Sequence, residues 1–141
     1  MISVVFPGQG SQKVGMGSDF YNQYEYVKKL FAYADDILGY KISDLILNGP
    51  QEKLNQTTFT QPAIYLIGYV ICEILKKETN FFKKNFNFFA GHSLGEYTAL
   101  TAANVLTFEQ GLSLLSSRGE AMQSAVPLGE GGMSAVLGLD S

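Results

Sequence analysis

The sequence predicts an α/β fold with a mainly parallel sheet, and three observations predict it. Short runs rich in β-branched or aromatic residues, at 2–6 and 86–90, alternate with longer stretches of helical periodicity. Both runs stop in a glycine-rich turn, Pro7-Gly8-Gln9-Gly10 and Gly91-His92-Ser93-Leu94-Gly95. The second turn opens directly into helix-forming residues, the strand–turn–helix order that a parallel sheet needs for its crossovers.

Taken in order, Ile2-Ser3-Val4-Val5-Phe6 reads as a strand closed by Pro7 and Gly8. Gly8, Gly10, Gly15 and Gly17 make residues 7–17 an extended loop. Ser18 and Asp19 are cap residues for a helix running to about Leu38, which Gly39 ends. Residues 43–47 form a short helical piece stopped by Asn48-Gly49-Pro50, and 51–55 another turn. Thr60 caps a long helix with Pro62 in its first turn. Ile64, Ile67, Ile71 and Ile74 recur there at helical spacing beside Ala63, Leu66 and Val70, so the apolar stripe is broad and the helix is expected inside the core. Its most apolar part, 62–75, contains Glu73 and is too short to span a bilayer. Residues 94–103 read as a helix after the second strand. Thr107-Phe108-Glu109-Gln110 has capping-box form and opens a helix to about Val126, ended by Pro127 and Gly129. Residues 133–139 read as a further strand, and Asp140-Ser141 as the start of another helix.

A chain of 141 residues suffices for one domain burying about 68–70% of its unfolded surface. Hydrophobic residues at 46% against 16% charged exclude a disordered chain. A net charge of −3 offers no footprint for nucleic acid or an anionic membrane. The single cysteine, Cys72, excludes an internal disulfide, fits a reducing compartment and reads as core. The apolar start lacks the basic and long apolar regions of a signal peptide. Together these predict a cytoplasmic location with neither nucleic acid nor membrane as partner.

Gly91-His92-Ser93-Leu94-Gly95 is a G-x-S-x-G match in the required context, strand before and helix after. That turn exposes a serine hydroxyl beside backbone N–H groups, which predicts Ser93 as a nucleophile. The loop after the first strand lacks both G-x-G-x-x-G and Gly-Lys-Ser/Thr, so phosphate binding fits it poorly. Loops at the carboxyl ends of parallel strands line the site, so this loop can face the elbow and supply an oxyanion donor, or be a tight turn without a ligand. Arg118 is the only arginine. Its fork suits a substrate carboxylate as a lysine cannot, and it suits a surface salt bridge equally. His92, the only histidine, neighbours Ser93 in the chain and is therefore expected to face away from its hydroxyl and to pack behind the turn.

Three segments together resemble the malonyl-CoA:acyl carrier protein transacylases of bacterial fatty acid synthesis: Phe6-Pro7-Gly8-Gln9-Gly10-Ser11-Gln12, Gly91-His92-Ser93-Leu94-Gly95-Glu96-Tyr97, and Arg118-Gly119 with Met122-Gln123. Thr60-Gln61-Pro62-Ala63, Ala125-Val126-Pro127 and Gly132-Met133 add to the likeness, which covers the chain in order. The resemblance implies a hydrolase-like acyltransferase subdomain in which Ser93 takes malonyl from coenzyme A. It implies that the backbone N–H groups of Gln9 and Leu94 form the oxyanion hole. Arg118 then pairs with the malonyl carboxylate, and the acyl group passes to the phosphopantetheine thiol of acyl carrier protein. It implies no metal and no bound organic cofactor, coenzyme A and phosphopantetheine being substrate carriers. Members of the family are longer, with a catalytic histidine further along and an inserted ferredoxin-like subdomain. No histidine follows His92 here. Residues 1–141 are thus expected to be the N-terminal part of that domain, incomplete at the C-terminus and poorly active alone. The competing readings are a serine esterase, a non-catalytic remnant or half of a split protein, and, on the first loop only, a nucleotide-binding module. Aryl-ester turnover indifferent to Arg118→Ala marks the first, and co-purification with a histidine-bearing chain the second.

Overall fold

A computed structural model describes residues 3–80, 88–126, 129–131 and 138 of the chain. The elements run β1 (Ser3–Phe6), α1 (Ser18–Gln23), α2 (Glu25–Leu38), α3 (Ile42–Asn48), α4 (Gln51–Leu54), α5 (Thr57–Glu78), β2 (Phe88–Gly91), α6 (Gly95–Ala102) and α7 (Phe108–Ala125). The two strands pair in parallel, with Ser3 opposite Phe88 and Phe6 opposite Gly91. The α/β class and the parallel pairing are as the sequence predicts. The strand expected at 133–139 lies outside the described residues.

Long helix α5 is the spine. Thr60, Gln61, Pro62, Ala63, Ile64, Tyr65 and Leu66 are all buried in it, as is Val70. Helix α7 lies against it, contributing Phe108, Leu112 and Leu115 to a core completed by Val27, Phe31 and Ala34 of α2 and Ile42, Leu45 and Ile46 of α3. By length and composition α5 could cross a membrane. Its burial within this core accounts for the same apolar run. A smaller apolar cluster, Phe6, Cys72, Ala99 and Ala102, joins the sheet to α5 and α6.

Two boundaries differ from the sequence reading, each for a local reason. The helix expected from Ser18 to Leu38 is broken at Tyr24, whose extended backbone (φ −119°, ψ 118°) caps both pieces. No glycine or proline marks the break. Helix α5 starts at Thr57, earlier than the Thr60 cap predicted. Thr60 instead turns its hydroxyl onto the carbonyls of Leu54 and Gln56, the bonding that lets a buried threonine sit inside a helix. The α7 capping box forms as read: the Thr107 hydroxyl accepts from Gln110 N and the Gln110 side chain accepts from Thr107 N.

Candidate active site

The site forms where β2 turns into α6. Ser93 holds φ 54°, in the left-handed region that side chains rarely adopt. The turn is fixed on both sides. Gly95 N donates to His92 O at 2.9 Å, and Glu96 N to Ser93 O at 3.1 Å. A Cβ on Gly91 would collide with the Gly95 backbone, and one on Gly95 would lie 2.5 Å from Phe6 O, so only glycines allow strand, elbow and β1 to converge here. The resulting strained turn raises the Ser93 hydroxyl out of the backbone, the geometry a G-x-S-x-G sequence predicts.

The loop after β1 lies against this turn. His92 N donates to Phe6 O at 3.1 Å, and a Cβ on Gly8 would sit 2.5 Å from His92 Nδ1. The His92 ring therefore occupies the space left by Gly8 and is exposed to solvent on its other side. The Ser93 hydroxyl instead meets Arg118. Its neighbour Leu94 is fully buried, and Gln9 stands on the facing loop. Among the described residues, neither the Gln9 nor the Leu94 backbone N–H donates to a protein acceptor.

Arg118 comes from α7 and reaches the elbow across α5. Its Nη1 donates to Gln61 Oε1 at 2.7 Å and its Nη2 to Ser93 Oγ at 3.1 Å. The guanidinium stands 6.0 Å from the centre of the Tyr97 ring. Among the described residues no carboxylate lies within salt-bridge reach of it. The surface salt bridge left open by the sequence is thus not what the arginine makes here. A half-buried cation with only neutral partners, one of them a nucleophile candidate, can take an anion beside that nucleophile.

Gln61 is the site residue that sequence reasoning missed. It is fully buried, and its amide has one orientation: Oε1 faces the guanidinium while Nε2 donates to Met122 Sδ at 3.1 Å. The available signal was a polar side chain inside the most apolar helix, since such a group must be hydrogen-bonded. No group of three or more metal-ligating side chains occurs among the described residues.

A family model of the acyl transferase domain matches residues 4–140. The chain belongs to the acyl transferase domain family. Among curated proteins, this acyl transferase chain is 49% identical over 140 residues to the polyketide biosynthesis malonyl CoA-acyl carrier protein transacylase PksC of Bacillus subtilis, covering 99% of this chain and 46% of that protein. It is 45% identical to the malonyl CoA-acyl carrier protein transacylase of Haemophilus influenzae, covering 99% and 44%. Among solved structures, the acyl-carrier-protein-S-malonyltransferase of Bartonella henselae superposes with a TM-score of 0.90 at 41% identity, over 99% of this chain and 45% of the other. The fold is that of these acyltransferases. The chain spans about half the length of the relatives it matches.

Proposed function

We propose that the chain carries the nucleophile and the acyl-selecting cation of an S-malonyltransferase, which moves malonyl from malonyl-CoA to the phosphopantetheine thiol of acyl carrier protein in the cytoplasm. The guanidinium of Arg118, 3.1 Å from Ser93 Oγ and without a carboxylate partner among the described residues, is the observation that carries this reading. A thioester whose carbonyl carbon meets Ser93 Oγ, and whose acyl chain ends in a carboxylate, can satisfy both groups at once.

In this reading Ser93 Oγ attacks the thioester carbon and gives up its proton to a base. The resemblance to malonyl transacylases assigns that base to a histidine further along the family's chain, and not to His92, whose ring fills the space beside Gly8. The carbonyl oxygen takes up the electron pair as an oxyanion, held by the N–H groups of Gln9 and Leu94. The pair then returns, the carbon–sulfur bond breaks, and coenzyme A leaves as the thiol with that proton. Malonyl remains as an ester on Ser93. Attack by the phosphopantetheine thiol reverses the sequence and restores the serine. Neither a bound cofactor nor a metal takes part. Arg118 holds the malonyl carboxylate throughout, so an acetyl group forfeits a charge-assisted, two-point contact.

The test is mass spectrometry of the protein after incubation with malonyl-CoA or acetyl-CoA. The expected product is a malonyl ester on Ser93, formed at least ~10²-fold faster than the acetyl ester, with the preference lost in Arg118→Ala. Equal labelling by both thioesters, or labelling elsewhere than Ser93, would sink the reading. Hydrolysis of simple aryl esters that ignores Arg118→Ala would point to an esterase instead.

A further inference from the structure

Residues 7–17 carry no regular structure before α1, yet their backbone must be placed accurately if Gln9 is to present its N–H to a substrate. Three side-chain amides hold it, besides that of Gln9 itself, whose Nε2 donates to Thr57 Oγ1 at 3.3 Å. Gln12 Oε1 accepts from Gly10 N at 2.8 Å, and Gln51 Oε1 accepts from Val14 N at 2.8 Å. The other ends of both amides converge on one atom: Gln12 Nε2 donates to Asn55 Oδ1 at 3.0 Å and Gln51 Nε2 donates to the same oxygen at 2.8 Å. The orientations are forced, because a backbone N–H can only be met by an amide oxygen. That turns both NH₂ groups toward Asn55, which must answer with its oxygen.

We infer that Asn55, at the C-terminus of α4, is a positioning residue that fixes the oxyanion loop through Gln12 and Gln51. By engaging Gly10 N–H, the clamp turns that donor into the loop and leaves the preceding one, at Gln9, as the free donor beside the elbow. This inference rests on the proposed role of Gln9 in malonyl transfer. Its chemical signature is that Asn55 acts as an acceptor toward both amides. A carboxylate can replace it and a methyl group cannot.

The experiment uses two readouts on the whole chain. Amide exchange of Gly10 and Val14, followed by NMR, reports the clamp; Gly15, whose N–H goes to Ile46 O at 2.8 Å, serves as internal reference. Phosphonylation of Ser93 by a phosphonofluoridate, which develops an oxyanion but needs no acyl carrier, reports the donor. In Asn55→Ala, Gly10 and Val14 should exchange ~10-fold faster with Gly15 unchanged, and Ser93 labelling should slow by roughly ten-fold, less than the ~10²–10³ for outright loss of a donor. Asn55→Asp should keep both near their original values. Gln12→Glu, which keeps the side-chain size, should also open the clamp, because it sets a carboxylate oxygen against Asn55 Oδ1; turning the Asn55 amide to meet it sets NH₂ against the NH₂ of Gln51, and turning Gln51 as well orphans Val14 N–H. It decides the matter if Asn55→Ala fails to fold. Unchanged exchange in these variants overturns the inference, as does an Asn55→Asp no better than Asn55→Ala. So does lost protection with full labelling. If Ser93 of the unaltered protein is not phosphonylated at all, the base that the proposed function requires is not acting on it, while the exchange pattern still decides the clamp.

Discussion

At Ser93 the chain holds a side chain where glycine would be at ease. A left-handed backbone at φ 54° costs a non-glycine residue on the order of 1 kcal/mol or more. Comparing Ser93→Gly with Ser93→Ala isolates that cost, since both lose the hydroxyl. Ser93→Gly should be the more stable by about 1 kcal/mol in urea denaturation, while neither variant accepts an acyl group. Equal midpoints would mean the elbow is unstrained. Much of the candidate site was legible at this scale. Ser93 was legible because its motif is local: Gly91 and Gly95 impose the turn whatever the rest of the fold does. Arg118 was noticed because it is unique in the sequence, but that no carboxylate pairs with it among the described residues emerges only when α7 packs on α5. Gln61 was legible only as a polar side chain in an apolar helix; its role was not, because that depends on a guanidinium 57 positions away in sequence. The Asn55 hub was invisible for the same reason, its two partners reaching it from different segments.

Among the elements, the pair α5 and α7 decides whether Arg118 can reach the elbow. Close approach depends on Gly111, where a Cβ would fall on the Tyr65 hydroxyl. That hydroxyl is not free to yield, since it donates to Phe108 O at 3.0 Å and contacts Thr101 Oγ1 at 3.0 Å, tying α5 to both later helices. Gly111→Ala should therefore destabilise by about 1–3 kcal/mol, against the usual gain of a helical Gly→Ala change. A raised urea midpoint for that variant would show that the interface has slack. The α7 start was legible because a capping box satisfies both of its ends within four residues. The α5 start was not. Thr57, Thr58 and Thr60 all offer caps, yet none serves: the helix begins after Gln56 with no side-chain cap bond. The break at Tyr24 left no sequence signal, because an extended aromatic residue between two helices is a tertiary choice.

For the whole molecule, the burial of titratable groups sets an alkaline limit. Desolvation pushes the Cys72 thiol from its ordinary 9.0 up to about 11. Burial, and then the charge of Glu120, pushes the Tyr40 hydroxyl up to about 12. Both folded-state values exceed the unfolded ones, so between them the native state binds more protons. That stabilisation is complete below about pH 9 and is lost as pH rises toward 12. The Tyr40 hydroxyl is also buried without a hydrogen-bond partner among the described residues. Tyr40→Phe should accordingly be neutral or stabilising at pH 7 and should flatten the alkaline fall, as read from urea midpoints at pH 7, 10 and 11. A loss of stability at pH 7 would show that the hydroxyl is satisfied after all. The α/β class was legible at this scale because both strands are short apolar runs ending in glycine turns. The register of those strands has a further consequence. With Phe6 opposite Gly91, β1 acts as a ruler for the chemistry. A slip of one residue would advance the loop by about 3.3 Å and invert every side chain of the strand. Phe6 would leave the core and Gln9 would miss the elbow together, so under the proposed role of Gln9 a molecule folded in the wrong register loses that donor, and one four-residue alignment checks both core and site.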